Sequence, residues 1–199
     1  MSHFRTLDDA VVILASASPR RAELLEQVGI PFQVASTLGV EERALPDETP
    51  SETARRLAEA KAEAARSRYP DADLIIGADT VVAIDGLALG KPQDSADAER
   101  MLACLSGREH DVVTGFAVLG RDTRVCGAET TQVRFRRLEP SEISRYVGTS
   151  EPLDKAGAYG IQGRGALLIQ GISGDYTNVV GLPLPAIASA LRQLGWRVG

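Results

Sequence analysis

Chemistry in this chain would have to come from charged residues set where the local rules of folding disfavour them. Asp79 lies inside an apolar, β-branched run from Leu74 to Ile84, where an unpaired buried carboxylate costs several kcal/mol. Something must meet that charge: a metal, a lysine, or backbone N–H groups at a strand end. With Thr80 beside it, such a carboxylate suits holding a divalent cation or positioning a water in phosphoryl chemistry. The plainer alternative is an aspartate that turns the chain at the end of a strand. Arg20 and Arg21 occupy the first turn of a helix opened by Ser18 and Pro19, where the helix macrodipole disfavours cations. An anion would reverse that sign. Free backbone N–H groups, the Ser16 and Ser18 hydroxyls and two guanidiniums together form a phosphate cradle, unless both arginines swing into solvent.

Other cations and acceptors extend the set. Lys61 falls seven residues after Ala54, on the flank of a helix that faces the core, so it is either a ligand or a snorkelling side chain. Lys91, between Gly90 and Pro92, is a rigidly held cation or a solvated one. The segment from Asp154 to Gly163 combines Lys155, Tyr159 and Gln162 with small residues, a composition that favours backbone approach to a ligand. Tyr159 could equally anchor the core. Lys+Arg number 22 against 27 Asp+Glu, a net charge of −5. That balance argues against nucleic-acid and anionic-membrane partners. A bound nucleotide would therefore need the local excess offered by Arg20, Arg21, Lys61, Lys91 and Lys155, with Glu42 and Asp79 as oxygen ligands for a metal.

Several classes drop out. His3 and His110 are the only histidines and cannot build a three-histidine zinc site, and Cys104 and Cys126 lack C-x-x-C spacing. His110 is expected to satisfy a hydrogen bond, and Arg134, Arg136 and Arg137 to form a solvated face. No Walker A loop or G-x-G-x-x-G fingerprint is present. Val11 to Ala17 mimics a signal-peptide core, but Asp8 and Asp9 stand where basic residues should be. No apolar run approaches the roughly 20 residues of a membrane span, and the expected location is cytoplasmic.

The elements that must position these groups follow from periodicity and punctuation. Val11 to Ala15 predicts a buried strand, and Pro19 to Val28 a helix closed by Gly29. Phe32 to Ala35 predicts a short strand, then an acidic loop runs through Glu41, Glu42 and Pro46. Thr49-Pro50-Ser51-Glu52 is a capping box opening a helix to about Ser67. Leu74 to Ile84 reads as strand interrupted at Gly77-Ala78-Asp79-Thr80, with a hairpin at Asp85-Gly86. A helix bearing Ala98, Met101, Leu102 and Leu105 precedes two antiparallel strands near 111–119 and 125–137. A short helix runs from Pro140 to Gly148, Ala166 to Ile172 predicts a strand, and a terminal helix starts at Pro183 or Pro185. The pattern fits α/β class: a mixed central sheet flanked by helices, in one domain over residues 1–199 with a flexible N-terminus over about 1–9.

At this point the residues resemble a known family, the Maf (septum-formation-inhibitor-like) nucleoside triphosphate pyrophosphatases. The resemblance rests on Ser16-Ala17-Ser18-Pro19-Arg20-Arg21 with Glu23-Leu24-Leu25, Gly77-Ala78-Asp79-Thr80 and Gly90-Lys91-Pro92. It continues in Ser106-Gly107 with His110 and Thr114, Glu151-Pro152-Leu153-Asp154-Lys155-Ala156-Gly157, and Asn178-Val179-Val180-Gly181-Leu182-Pro183. It implies an elongated two-lobed α/β fold with a cleft, often as a homodimer. The implied reaction cleaves a nucleoside triphosphate between the α- and β-phosphates with Mg²⁺ or Mn²⁺. Asp79 would be the catalytic acceptor, and Arg20, Thr80 and Gln162 would govern substrate choice. The loop Ala158-Tyr159-Gly160-Ile161-Gln162-Gly163 looks like the branch acting on dTTP and UTP rather than the 7-methyl-GTP branch, and an amide suits the O4/N3–H edge of uracil or thymine.

The mechanism so implied has Glu42 and Asp79 holding the metal and Asp79 taking a proton from the attacking water. Arg20, Arg21, Lys61, Lys91 and Lys155 would neutralise the phosphate chain, with Ser16 and Asp154 beside it. The rivals are a nucleotide-binding regulator of septum formation without turnover and a phosphatase releasing orthophosphate.

Overall fold

The computed structural model describes residues 5–36 and 39–198. In chain order the elements are β1 (Arg5–Thr6), β2 (Val12–Ala15), α1 (Pro19–Gln27), β3 (Gln33–Val34), α2 (Pro50–Arg68), β4 (Leu74–Ile84) and β5 (Leu87–Leu89). They continue with α3 (Ser95–Leu105), β6 (Glu109–Leu119), β7 (Arg124–Phe135), α4 (Pro140–Val147), β8 (Ile169–Ser173), α5 (Tyr176–Val180), α6 (Leu184–Gln193) and β9 (Trp196–Arg197). The main sheet has the order β3-β2-β4-β6-β7-β8, with β5 pairing β4 beside this path. Strands β3, β2 and β4 are parallel, whereas β4, β6, β7 and β8 are antiparallel. The expected mixed α/β sheet is therefore the observed one. Residues 1–4 of the expected flexible N-terminus lie outside the described residues, while Arg5–Thr6 pair with Trp196–Arg197 and Leu7 is buried.

Strand β4 is the axis of the molecule, and its alternation explains both cores. Leu74, Ile76 and Ala78 join a cluster with Leu24, Leu25, Ile187 and Leu191. On the same face Val82 and Ile84 join a second cluster with Met101, Leu102, Phe135 and Tyr159. Thr80 falls between them, and its partner across the ladder is Thr114. A polar row thus separates two apolar lobes. The opposite face of β4 is covered by α2, whose buried stripe of Ala54, Leu57, Ala58, Lys61, Ala62 and Ala65 is mostly small. Glycine lets this helix lie close: a Cβ on Gly77 would stand 2.4 Å from the Ala58 carbonyl oxygen.

Two expectations change. β4 is continuous from Leu74 to Ile84, so Gly77-Ala78-Asp79-Thr80 does not interrupt it; β6 pairs it from Ile75 to Ala83 and keeps the backbone extended. The last strand of the sheet is Ile169–Ser173, because residues 163–168 form a 3₁₀ turn over Tyr146 instead of pairing. The capping box on α2 is present in full, with the Glu52 backbone N–H donating to Thr49 Oγ1 and Glu52 accepting the Thr49 N–H.

Candidate active site

The sheet is notched on one side of β4. β2 stops at Ala15 opposite Gly77, and β5 begins only at Leu89 opposite Val82. Ala78 to Val81 thus have β6 on one side and no strand on the other, a crevice of the kind in which open α/β sheets bind ligands. The chain leaves β2 through Ser16 into α1, and leaves β5 through Gly90 and Lys91. Both banks are therefore lined by the sequence-predicted residues. The 154–163 segment closes over them: Arg20 Nη1 lies 3.5 Å from Asp154 Oδ2, and the Gly157 N–H donates to the Gly90 carbonyl at 3.1 Å.

Asp79 sits mid-strand, not at a strand end, and its side chain faces α2. Lys61 answers the buried charge: its Nζ stands 2.5 Å from Asp79 Oδ1 and 2.5 Å from Glu42 Oε1. The lysine side chain is only 5% exposed and its ammonium is held between two carboxylates, so it does not reach free solvent as a snorkelling side chain would. Lys91 lies 3.5 Å from Glu42 Oε2 and is largely exposed. Burial pushes the Glu42 carboxyl up, but Lys61 and then Lys91 outweigh it and hold the group below the usual carboxylate range.

The donor set can be judged against a metal. Among the described residues no three metal-ligating side chains cluster. Two carboxylates, each with one oxygen turned to Lys61, suit Mg²⁺ or Mn²⁺, which keep waters and take the remaining ligands from phosphates. They do not suit an all-protein cage.

Thr80 points to the other face, where Arg21 is buried. Its Nη1 donates to Ser16 Oγ at 2.9 Å, its Nε to the Gly181 carbonyl at 2.7 Å, and its Nη2 to Thr80 Oγ1 at 3.1 Å. All three acceptors are neutral, so no carboxylate pairs with this charge among the described residues. Burial lowers the guanidinium pKa, partly offset by the field of Asp79. A buried cation with neutral partners at a helix N-terminus is an anion site in waiting.

The loop is organised by residues that sequence reasoning left out of the site. Glu151 accepts the Tyr146 hydroxyl at 3.0 Å and the N–H groups of Arg164 and Gly165 at 3.1 Å each. Lys155 donates to the Glu151 carbonyl at 2.5 Å and to Asp154 Oδ1 at 2.6 Å, which, with Arg20, holds the Asp154 carboxyl low against the opposing effect of burial. Gln162, half-buried, precedes the 3₁₀ turn. Glu151 is one residue of the 151–157 motif with nothing local to set it apart, and Tyr146 falls beside Ile143 and Val147 in the buried pattern of α4, so the sequence carries no separate signal for either. Arg134 and Arg137 are exposed, as expected, and Arg134 and Arg136 also form ion pairs with Glu109 and Glu142.

His110 does satisfy a hydrogen bond, to the Tyr159 hydroxyl at 2.7 Å, and Tyr159 is a core anchor. Burial lowers His110 from 6.5 to about 4. As pH falls through that window the unfolded chain takes a proton that the folded chain refuses. The stabilisation is complete above the ordinary histidine value and fades on acidification, by about 3 kcal/mol in full. Denaturant titrations at about pH 7 and about pH 4.5 should show His110→Gln losing less stability on acidification than the parent. Equal losses would mean that His110 is not held neutral.

The family described as Maf-like protein matches residues 11–194. The chain belongs to this family. Within it, the dTTP/UTP pyrophosphatase of Symbiobacterium thermophilum is 54% identical over 187 residues, covering 94% of this chain and 95% of its own. Proteins of the same name from Geobacter sp. strain M21 and Geotalea uraniireducens are 49% and 52% identical, covering 95% and 92% of this Maf-like chain and 98% and 95% of their own. Among solved structures, a nucleoside-triphosphatase/dITP/XTP pyrophosphatase from Mycobacterium abscessus aligns over 92% of this chain and 96% of its own at 17% identity, with a TM-score of 0.44.

Proposed function

We propose that this Maf-like chain hydrolyses dTTP and UTP to the nucleoside monophosphate and pyrophosphate. The observation that carries the reading is the pairing across one notch of Arg21, a buried cation without an anion among the described residues, with Asp79, a buried carboxylate held by Lys61. The names of the relatives at about half identity supply the substrate. Arg20, Arg21 and Ser16 take the phosphate chain, and Lys61, Lys91 and Lys155 spread its charge. Water attacks the α-phosphorus, the bond to the oxygen bridging α and β breaks, and pyrophosphate leaves with the electron pair. Asp79 accepts the proton of that water. Asp79 and Glu42 would hold a divalent cation, which would supply charge neutralisation for the phosphates. The Gln162 amide donates to and accepts from the O4/N3–H edge of the base. A homodimer, as the family resemblance implies, and the cytoplasmic location expected from the sequence complete the reading.

Phosphorus NMR of the protein with dTTP, UTP, 7-methyl-GTP and purine triphosphates, with Mg²⁺ or Mn²⁺, is the test. Monophosphate and pyrophosphate from dTTP and UTP alone are expected. Orthophosphate would turn the enzyme into a phosphatase, and intact nucleotide despite binding would leave only a regulator.

A further inference from the structure

The row of polar side chains between the two apolar lobes can be read proton by proton. Thr114 and Asn178 are fully buried. Thr114 Oγ1 lies 2.9 Å from the Asn178 backbone carbonyl, which only accepts, so the single hydroxyl proton of Thr114 is committed there. Thr80 Oγ1 is 3.0 Å from Thr114 Oγ1, and this contact is a hydrogen bond only if Thr80 is the donor. Its own proton is then spent, and Thr80 meets Arg21 Nη2 as an acceptor. The Asn178 side-chain amide is fixed in turn, with Nδ2 donating to the Val112 carbonyl and to Thr131 Oγ1 at 3.0 Å each. A one-way chain runs from Arg21 through Thr80 and Thr114 to the backbone of α5.

The same count at Ser16 gives the opposite answer. Its oxygen accepts from Arg21 Nη1 at 2.9 Å and from the Ser18 N–H at 3.3 Å, which uses both lone pairs and leaves the proton uncommitted.

We propose that Thr114, seated on the Asn178 carbonyl, is a positioning residue for the phosphate end of the site: it draws the only proton of Thr80, so that Thr80 aims Arg21 and cannot donate to the nucleotide, whereas Ser16 can. This rests on reading Arg21 as a phosphate contact. It explains why Thr80 and Thr114 interrupt what would otherwise be one continuous apolar face on β4 and β6: each hydroxyl proton has an acceptor, although the Asn178 side-chain oxygen on α5 is buried without a partner among the described residues.

Thr114→Val keeps the shape and removes the hydroxyl, and Thr114→Ser restores it; Thr114→Ala replaces the valine variant should that not fold. Calorimetric binding of inorganic pyrophosphate should weaken about tenfold in Thr114→Val and recover in Thr114→Ser. Wild-type affinity in Thr114→Val, or equal loss in both variants, overturns the proposal. Should the parent protein bind no pyrophosphate, the reading of the phosphate site fails instead. The chain is then decided by NMR of ¹⁵N-arginine-labelled protein: faster rotation of the Arg21 guanidinium in Thr114→Val than in Thr114→Ser supports it, and equal rates overturn it.

Discussion

Asp79→Asn is expected to fold and to hydrolyse dTTP at least about a thousandfold more slowly than the parent. The loss is large because an amide cannot accept the proton of the attacking water, and no described group other than Glu42 stands at the same lysine to replace it. The fold survives for a specific reason. Lys61 is shared, so after the substitution its ammonium keeps Glu42 at 2.5 Å, and the asparagine carbonyl still accepts from Nζ. No buried charge is orphaned, and the stability cost should be about 1–2 kcal/mol. Lys61→Met would be harsher, since it leaves the buried Asp79 carboxylate without its cation, while Glu42 keeps Lys91. Single-turnover rates and urea unfolding on the same Asp79→Asn sample separate the two effects. A rate within about tenfold of the parent would remove Asp79 as the proton acceptor.

That Asp79 and Lys61 belong together was only half legible in the sequence. Asp79 announces itself as a charge in an apolar run, and three kinds of partner were open to it. Which one it has depends on how close α2 lies, and that is set by Gly77 and Gly115, whose missing side chains carry no periodic signal. The helices were readable because their punctuation is local: the Thr49 capping box, Pro19 at the start of α1 and Gly29 at its end each act within one turn. The apparent break at residues 77–80 misled because glycine and aspartate are poor strand formers, while the long pairing with β6 overrides that preference. Thr114 and Asn178 were visible as parts of a family motif, but nothing local says that a threonine in one strand spends its proton on the backbone of a helix 64 residues away.

Gly115→Ala is expected to destabilise the protein by about 3 kcal/mol and to lower turnover by about a hundredfold in the molecules that remain folded. Gly115 is the cross-strand partner of Asp79. A Cβ built there stands 2.1 Å from both the carbonyl carbon and the carbonyl oxygen of Ala54, on the first turns of α2. These are backbone atoms and cannot rotate aside, so the helix itself must move away from the sheet. The same helix carries Lys61 two turns on, and a short aspartate side chain cannot follow a retreating ammonium. Packing and chemistry fail together because one close contact sets both. Gly171→Ala provides the contrast: on edge strand β8 its Cβ meets nothing within 4 Å, and it should change stability by less than about 0.5 kcal/mol. Urea midpoints for the two variants, with turnover measured where each is folded, give the comparison. A Gly115→Ala protein as stable and active as Gly171→Ala would mean that the closeness of α2 to β6 is not what holds Lys61 against Asp79.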